Sequence, residues 1–515
     1  MAEAKNEAGV ILFCAVILSL LVYGFVDQVK LMPTGDETIA YLCATGNQEL
    51  YERVNKHEAL YGKMSKQEDW QQFFNIEQGA FGRIAPDLAK TDLHPPLYFW
   101  ILHVVLHYIQ PMFKAGLLLN LLCHLAIIFV LYKLGITIGL SRKSAAIVVL
   151  FWCLSPAIIS IGFVARQYQL LCLLNICAAL AFAKYEQNKQ PVWAVLFLLS
   201  LTAGALTHYL YLYFMLGYLA YAIVYKKHAH TWFITLAAIT TAIIVLLVLH
   251  PGVLHQFMLQ QTRAQQFHLT EIPLRIGKVL ISFIQLVLPV MALKTFLLKL
   301  PLWAVVGGIV SLSAGLLLLF KNRSNKQVSW KSVLMGNKLV TWLLLCSLVL
   351  AIVPYLLFFT PQHAMGGQYL VLVYPFLFLT VLPQLIAENK LRSGLIIAFF
   401  TGLFLQLTWL RLDQKRYAPL FNDIKNADAI CVNSTDRRGF LRVLPYLKAG
   451  QVIVMDEKIA PCGLPYPNTL FISDQSTKDN AGAYFKQAKA YDLNDGVVFY
   501  TQMVNPVFCE QLHEK

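Results

Sequence analysis

Eleven apolar stretches, each close to the length of a membrane-spanning helix, limit what this chain can become. They cover 9–29, 113–132, 144–163, 166–184, 191–207, 208–225, 231–249, 301–320, 338–359, 369–387 and 392–410. A hydrocarbon core about 30 Å thick is crossed by about 20 helical residues, and a helix satisfies its own backbone hydrogen bonds there. The pattern predicts a multi-span α-helical membrane protein. Two further stretches, 97–110 and 278–294, are shorter and interrupted by polar or basic residues.

Composition supports this reading. The chain is 57% hydrophobic and 14% charged, with a mean hydropathy of +0.57, which excludes an ordinary soluble protein. Its formal charge of +14 fits Lys and Arg gathered in cytoplasmic loops. Nucleic acid is not an expected partner, because no basic tract with interleaved aromatics stands outside the apolar part. The first apolar run is too long for a signal-peptide core, and Tyr23, Phe25 and Val26 crowd any cleavage point. It reads as a retained first span.

Orientation follows from five basic clusters: Lys133 with Arg142-Lys143, Lys184 with Lys189, Lys226-Lys227, Lys321 to Lys338, and Lys390 with Arg392. Placing all five in the cytoplasm puts the N-terminus inside, loop 30–96 outside and the C-terminus outside. The stretches 97–110 and 278–294 are then re-entrant or interfacial, giving eleven spans, or thirteen if both cross. No internal repeat of the kind common in transporters stands out.

From about Arg411 the composition changes. Ala429–Asn433, Gln451–Met455, Thr469–Ser473 and Gly496–Tyr500 have strand length, with helices expected at Gly439–Leu447 and Ala481–Ala490. The expected division is therefore a membrane part, 1–410, and a small extracytoplasmic α/β domain, 411–515. Cys431, Cys462 and Cys509 fall in that domain and permit a disulfide without fixing a pair. Cys14, Cys123, Cys153, Cys172, Cys177 and Cys346 sit in apolar segments and read as packing residues.

The residues suited to chemistry gather on the outer side. Asp36 and Glu37 stand where the first helix leaves the bilayer, and an acid there is either a general base or a solvated helix end. In His94-Pro95-Pro96 the prolines set a helix start. There His94 either serves a phosphate received by the free N–H groups or is incidental to the helix start. Arg166 opens another helix, where it either snorkels or holds an anionic headgroup. Tyr168 follows it, and His208 with Tyr209 lies at a further outer boundary, where core or interface packing is the ordinary role of tyrosines. The loop 250–277 offers His255, Arg263, His268, Glu271 and Arg275, whose spacing is not diagnostic of metal or phosphate binding.

Taken in order, these pieces resemble a known family. Asp-Glu after a first helix, a long outer loop closing with His-Pro-Pro-Leu-Tyr, and Ala-Arg-Gln-Tyr opening a later helix are similar to the GT-C fold, polyprenyl-phosphate-dependent glycosyltransferases. The closest match within them is the set related to protein O-mannosyltransferases and the lipid A aminoarabinose transferase. Thr207-His208-Tyr209 and Gly367-Gln368-Tyr369-Leu370 add similar boundary motifs. The resemblance covers roughly 9–410 and is densest over 30–210.

That resemblance implies Asp36 as the base or its neighbour, Glu37 in the same acidic motif, and His94 near the lipid phosphate. Arg166, Tyr168, His208 and Tyr369 line the donor phosphate by the same reasoning. Val164 stands where relatives have Glu, and Gln368 where they often have Arg. A divalent metal is compatible with Asp36, His255 and His268 but not required.

The expected reaction moves a sugar from a polyprenyl phosphate to a hydroxyl on a glycan, lipid or protein. The expected setting is a bacterial inner membrane with the active face periplasmic and membrane lipids as neighbours. The competing readings are a transporter or flippase of lipid-linked sugars and a polysaccharide polymerase or ligase. A transporter needs polar groups at mid-membrane, and charged residues are nearly absent within these spans.

Overall fold

The computed structural model describes residues 2–55, 64–76, 80–92, 94–109, 112–225, 229–253, 269–290, 292, 337–358, 367–387, 389–433, 438–455, 469–473, 489–492 and 498–504. Helices α1 (Ala2–Val29), α7 (Met112–Thr137), α10 (Tyr168–Asn188) and α13 (Ala229–Leu249) are long and apolar enough to cross a membrane. The run Leu391–Asn426 qualifies with them, making five among the described residues.

The expected span 144–163 is instead a broken pair, α8 (Arg142–Leu154) and α9 (Pro156–Phe163), bent by 56°. The cause is local. Ser155 is extended, at φ −70° and ψ 121°, as a residue before proline prefers. Its hydroxyl donates to the carbonyl of Leu286 at 2.8 Å. Counting the bent pair gives up to six among the described residues, where the sequence reading expected eleven over the whole chain.

The shortfall has a physical pattern. Helices α11 (Pro191–Ala205) and α12 (Leu210–Tyr225) hold 15 and 16 residues, so each stops short of the twenty needed for a straight crossing. Expected span 369–387 resolves into the short helices Tyr374–Thr380 and Leu382–Ile386, each with a proline in its first turn. Span 301–320 lies outside the described residues. Leu97–Tyr108, here α6, has 12 residues and a length of about 18 Å at 1.5 Å per residue. Helix Ile272–Ile284 is similar.

The chain forms two compact units. The first comprises Met1–Val26, Leu117–Phe163 and Gln167–Trp409. Its interior is aromatic: Phe182 and Phe197 pack on Tyr218, and Trp152 meets Phe378 at 5.6 Å between ring centroids. Close helix approach depends on missing side chains. A Cβ on Gly204 would lie 2.2 Å from the ring of Tyr211.

The second unit gathers Asp27–Gly116, Val164–Arg166 and Leu410–Lys515. The segment 30–96, which reads as a polar loop, is largely helical: α2 (Gly35–Thr45), α3 (Gln48–Asn55), α4 (Gln67–Gln71) and α5 (Ala80–Thr91). Asp87 ties two of them. Its buried carboxylate accepts the N–H groups of Gln48 at 2.9 Å and Glu49 at 2.7 Å, capping α3 from a distant helix.

A six-stranded sheet completes this unit, in the order β1-β3-β2-β4-β6-β5. The strands are β1 (Met64–Lys66), β2 (Ala429–Asn433), β3 (Val452–Met455), β4 (Thr469–Ser473), β5 (Lys489–Asp492) and β6 (Val498–Val504). β2 runs parallel to β3 and β4; the other pairings are antiparallel. Four of the strands stand at or near the stretches read from the sequence. The expected helix Ala481–Ala490 ends as strand β5 where it is described. β1 enters from the 30–96 segment, so the sheet does not respect a boundary at residue 411. Trp70 anchors that join: its indole N–H donates to Ser65, whose hydroxyl donates to Ile453, and its ring meets Phe440 edge-on at 5.1 Å. Cys431 is buried; Cys462 and Cys509 lie outside the described residues.

Candidate active site

The acidic motif opens a helix rather than ending one. Thr34 is the N-cap of α2, and Glu37, at the third helical position, completes a capping box. Thr34 Oγ1 accepts the Glu37 N–H at 3.3 Å, while Glu37 Oε2 accepts the Thr34 N–H at 2.8 Å. Asp36 and Glu37 thus sit in the first turn, where a negative charge meets the positive end of the helix dipole. Gly46 ends the helix in the left-handed region, φ +69°.

The two acids do different things. Glu37 is fully buried and its oxygens are engaged: Oε1 accepts from the Lys30 ammonium and from the Ala165 N–H at 2.7 Å. Burial pulls the Lys30 ammonium below the usual lysine range, and the adjacent Glu37 carboxylate opposes that shift. A buried pair of this kind holds because each charge answers the other. Asp36 is exposed, and among the described residues its carboxylate has no hydrogen bond. The division of labour is therefore a clamp, Glu37, beside an accessible carboxylate, Asp36.

Arg166 lies in the same unit and is 6% exposed. Its Nη1 donates to the backbone carbonyl of Asp36 at 3.2 Å. A guanidinium and an accessible carboxylate are thereby fixed to one backbone segment. His94 follows α5, in the turn before α6, and its Nδ1 pairs with Asp92. Asp92 Oδ2 lies 3.9 Å from the Cys43 thiol of α2. Burial pushes that thiol well up, with Asp92 adding to the rise and Arg166 opposing it. The acidic helix, the His94 turn and Arg166 thus converge on one neighbourhood.

The other expected residues belong to the first unit. Tyr168 opens α10, and its ring lies 6.0 Å from that of His208 in the turn between α11 and α12. His208 Nδ1 accepts the Leu210 N–H at 3.1 Å. Tyr369 is half-buried in the 3-10 turn Gly367–Leu370. Of the loop 250–277, Arg275 is buried and paired with Glu271; His255, Arg263 and His268 lie outside the described residues. Among the described residues no three His, Cys, Asp or Glu side chains group as metal ligands.

Sequence reading missed Lys30, Asp92, Gln414, Arg442 and Tyr446. Thr34-x-x-Glu37 was a usable signal, being the capping-box pattern ahead of an apolar run.

Residues 93–255, which open at the His-Pro-Pro turn, match the sequence model of the dolichyl-phosphate-mannose-protein mannosyltransferase family, in line with the resemblance of the motifs. Solved structures to which the chain is similar include ArnT from Cupriavidus metallidurans. Bound to undecaprenyl phosphate it shows 12% identity, covering 95% of this chain and 97% of that one, with a TM-score of 0.47. In the apo state it shows 13% identity with the same coverage and a TM-score of 0.49. The apo oligosaccharyltransferase of Archaeoglobus fulgidus shows 9% identity, 93% and 70% coverage, and a TM-score of 0.48. No curated protein matches the chain.

Proposed function

We propose that this protein is an inverting glycosyltransferase of the membrane, moving a sugar from a polyprenyl phosphate to a hydroxyl acceptor. The family matched over residues 93–255, described by its dolichyl-phosphate-mannose donor, supports that donor class. The observation that carries the site is the hydrogen bond from Arg166 to the Asp36 carbonyl, which fixes a cation beside an accessible carboxylate.

In this reading Asp36 takes the proton of the acceptor hydroxyl as its oxygen bonds to the anomeric carbon. The bond from that carbon to the phosphate oxygen breaks on the opposite face, and polyprenyl phosphate leaves with the electron pair. Because phosphate leaves readily, the remaining need is positive charge where the leaving oxygen develops its own. Arg166 and His94 meet it. Glu37 serves by position, holding the turn that carries Asp36. The second unit, with its sheet, faces the extracytoplasmic side, and eleven to thirteen membrane segments complete the fold.

The test uses purified protein in detergent with a panel of polyprenyl-phosphate sugars, following release of free polyprenyl phosphate. Wild type should release it and Asp36→Asn should not, with a loss of about 10²–10⁴-fold expected for a general base. A folded Asp36→Asn protein with normal turnover would sink the assignment. Donor that is never consumed, yet crosses reconstituted vesicles, would favour a flippase.

A further inference from the structure

The connector Leu31-Met32-Pro33, between α1 and the acidic helix, belongs to no helix or strand. Met32 and Pro33 are nevertheless buried. Buried backbone polar groups need partners, and here they come from the far end of the chain. Gln414 Oε1 accepts both the Leu31 and the Met32 N–H at 2.9 Å. The Tyr446 hydroxyl donates to the Leu31 carbonyl. Arg442, itself buried, donates its Nε to the Pro33 carbonyl at 2.8 Å. Pro33 has no N–H to offer. Four of the connector's five backbone polar groups are thus answered by three side chains of the C-terminal segment.

These three side chains are held in their turn. Arg442 lies over the Tyr417 ring at 5.9 Å, and Tyr446 packs on Phe421 at 4.3 Å between centroids. The connector ends one residue before Thr34, the N-cap, and three before Asp36. Where Pro33 is placed decides where α2 begins and which way its first turn faces.

We infer that Gln414, Arg442 and Tyr446 are positioning residues for Asp36, so that the C-terminal segment sets the active carboxylate rather than serving as a separate module. The inference rests on the proposed role of Asp36 for its catalytic consequence, but not for its geometry. Losing one of these side chains lets the connector shift. A misplacement near 1 Å can cost about 10²-fold in rate.

Two readouts separate the possibilities. The first is the rate of maleimide labelling of Asp36→Cys, followed by mass spectrometry of the peptide, in otherwise wild-type protein and with Tyr446→Phe, Gln414→Leu or Arg442→Ala added. Tyr446→Phe removes one hydroxyl and keeps the packing, so it stands if the larger changes fail to fold. The second is kcat and KM for donor cleavage in each single variant with Asp36 intact. We expect a several-fold change in labelling, and kcat lowered about tenfold or more in Arg442→Ala, with KM for the lipid donor little changed and partial recovery on adding guanidinium. Unchanged labelling at position 36 in all folded variants would overturn the inference. Changed labelling with unchanged kcat would uphold the positioning and instead reject Asp36 as the base.

Discussion

Glu37 Oε1 accepts the backbone N–H of Ala165 at 2.7 Å, joining residues that are 128 apart in the chain. The same oxygen meets Lys30. One carboxylate therefore fixes the end of the first helix, the start of the acidic helix and the residue before Arg166. Replacing Glu37 with Gln should leave a buried ammonium without its counter-charge, at a cost of roughly 3–5 kcal/mol. Lys30→Met combined with Glu37→Gln should be markedly less destabilised than the sum of the two single changes. Thermal unfolding of the four proteins in detergent measures this coupling, and strict additivity would show that the pair is not a unit.

Gly116 provides a second handle on the same place. A Cβ there would lie 2.2 Å from that of Ala165 and 2.5 Å from the Tyr41 hydroxyl. Gly116→Ala should displace the Ala165-Arg166 turn, lowering stability by about 1–3 kcal/mol through overpacking. Its turnover should fall by more than its melting temperature alone accounts for. A variant with wild-type melting and kcat would mean that the turn has slack.

His94 is held by Asp92. A hydrogen bond to a charged group contributes roughly 1.5–3 kcal/mol. Asp92→Ala should therefore weaken use of the donor about ten- to a hundredfold in kcat/KM by releasing the ring. Steady-state kinetics beside His94→Ala checks the order: if Asp92→Ala is silent while His94→Ala is not, the carboxylate does not orient the histidine.

The outlines of the helical part were legible because apolar runs report burial in lipid directly. The strand stretches at 429–433 and 469–473 stood out for a similar reason, as compact apolar runs bounded by polar residues. What failed to show was whatever depended on partners distant in sequence. Met64-Ser65-Lys66 has no strand pattern of its own and becomes one by pairing with β3. Lys30 belongs to none of the basic clusters that stood out, and nothing near it in sequence announced Glu37 as its partner. The prolines at 156, 375 and 383 were visible, but the apolar runs around them dominated the count of spans.

Asp87 gives a prediction in pH. Burial raises its pKa above the usual carboxylate range, with the backbone N–H groups of Glu49 and Gln48 opposing. Because the folded state holds this proton more tightly than the unfolded chain, the carboxyl costs stability as pH rises from its ordinary value through the raised one. Below that window the cost is absent, and above it the cost is fully present. Asp87→Asn should accordingly gain stability relative to wild type as pH rises through the window. Melting curves of both proteins from pH 4 to 7 test the sign, and a gap that narrows with pH would contradict it. Asp87→Ala, which removes the cap, should cost about 0.5–2 kcal/mol.

Strand β1 and its partner β3 also bear on how the protein comes into being. Ser65 reaches Ile453 across 388 residues, and chains leave the ribosome at roughly 5–20 residues per second. For roughly 20 to 80 s, the segment bearing the acidic helix therefore exists without the strand that receives it. During that interval the candidate membrane helices between them are made. A nascent or prematurely terminated chain would carry the acidic helix without the strand, Val452–Met455, that pairs with β1.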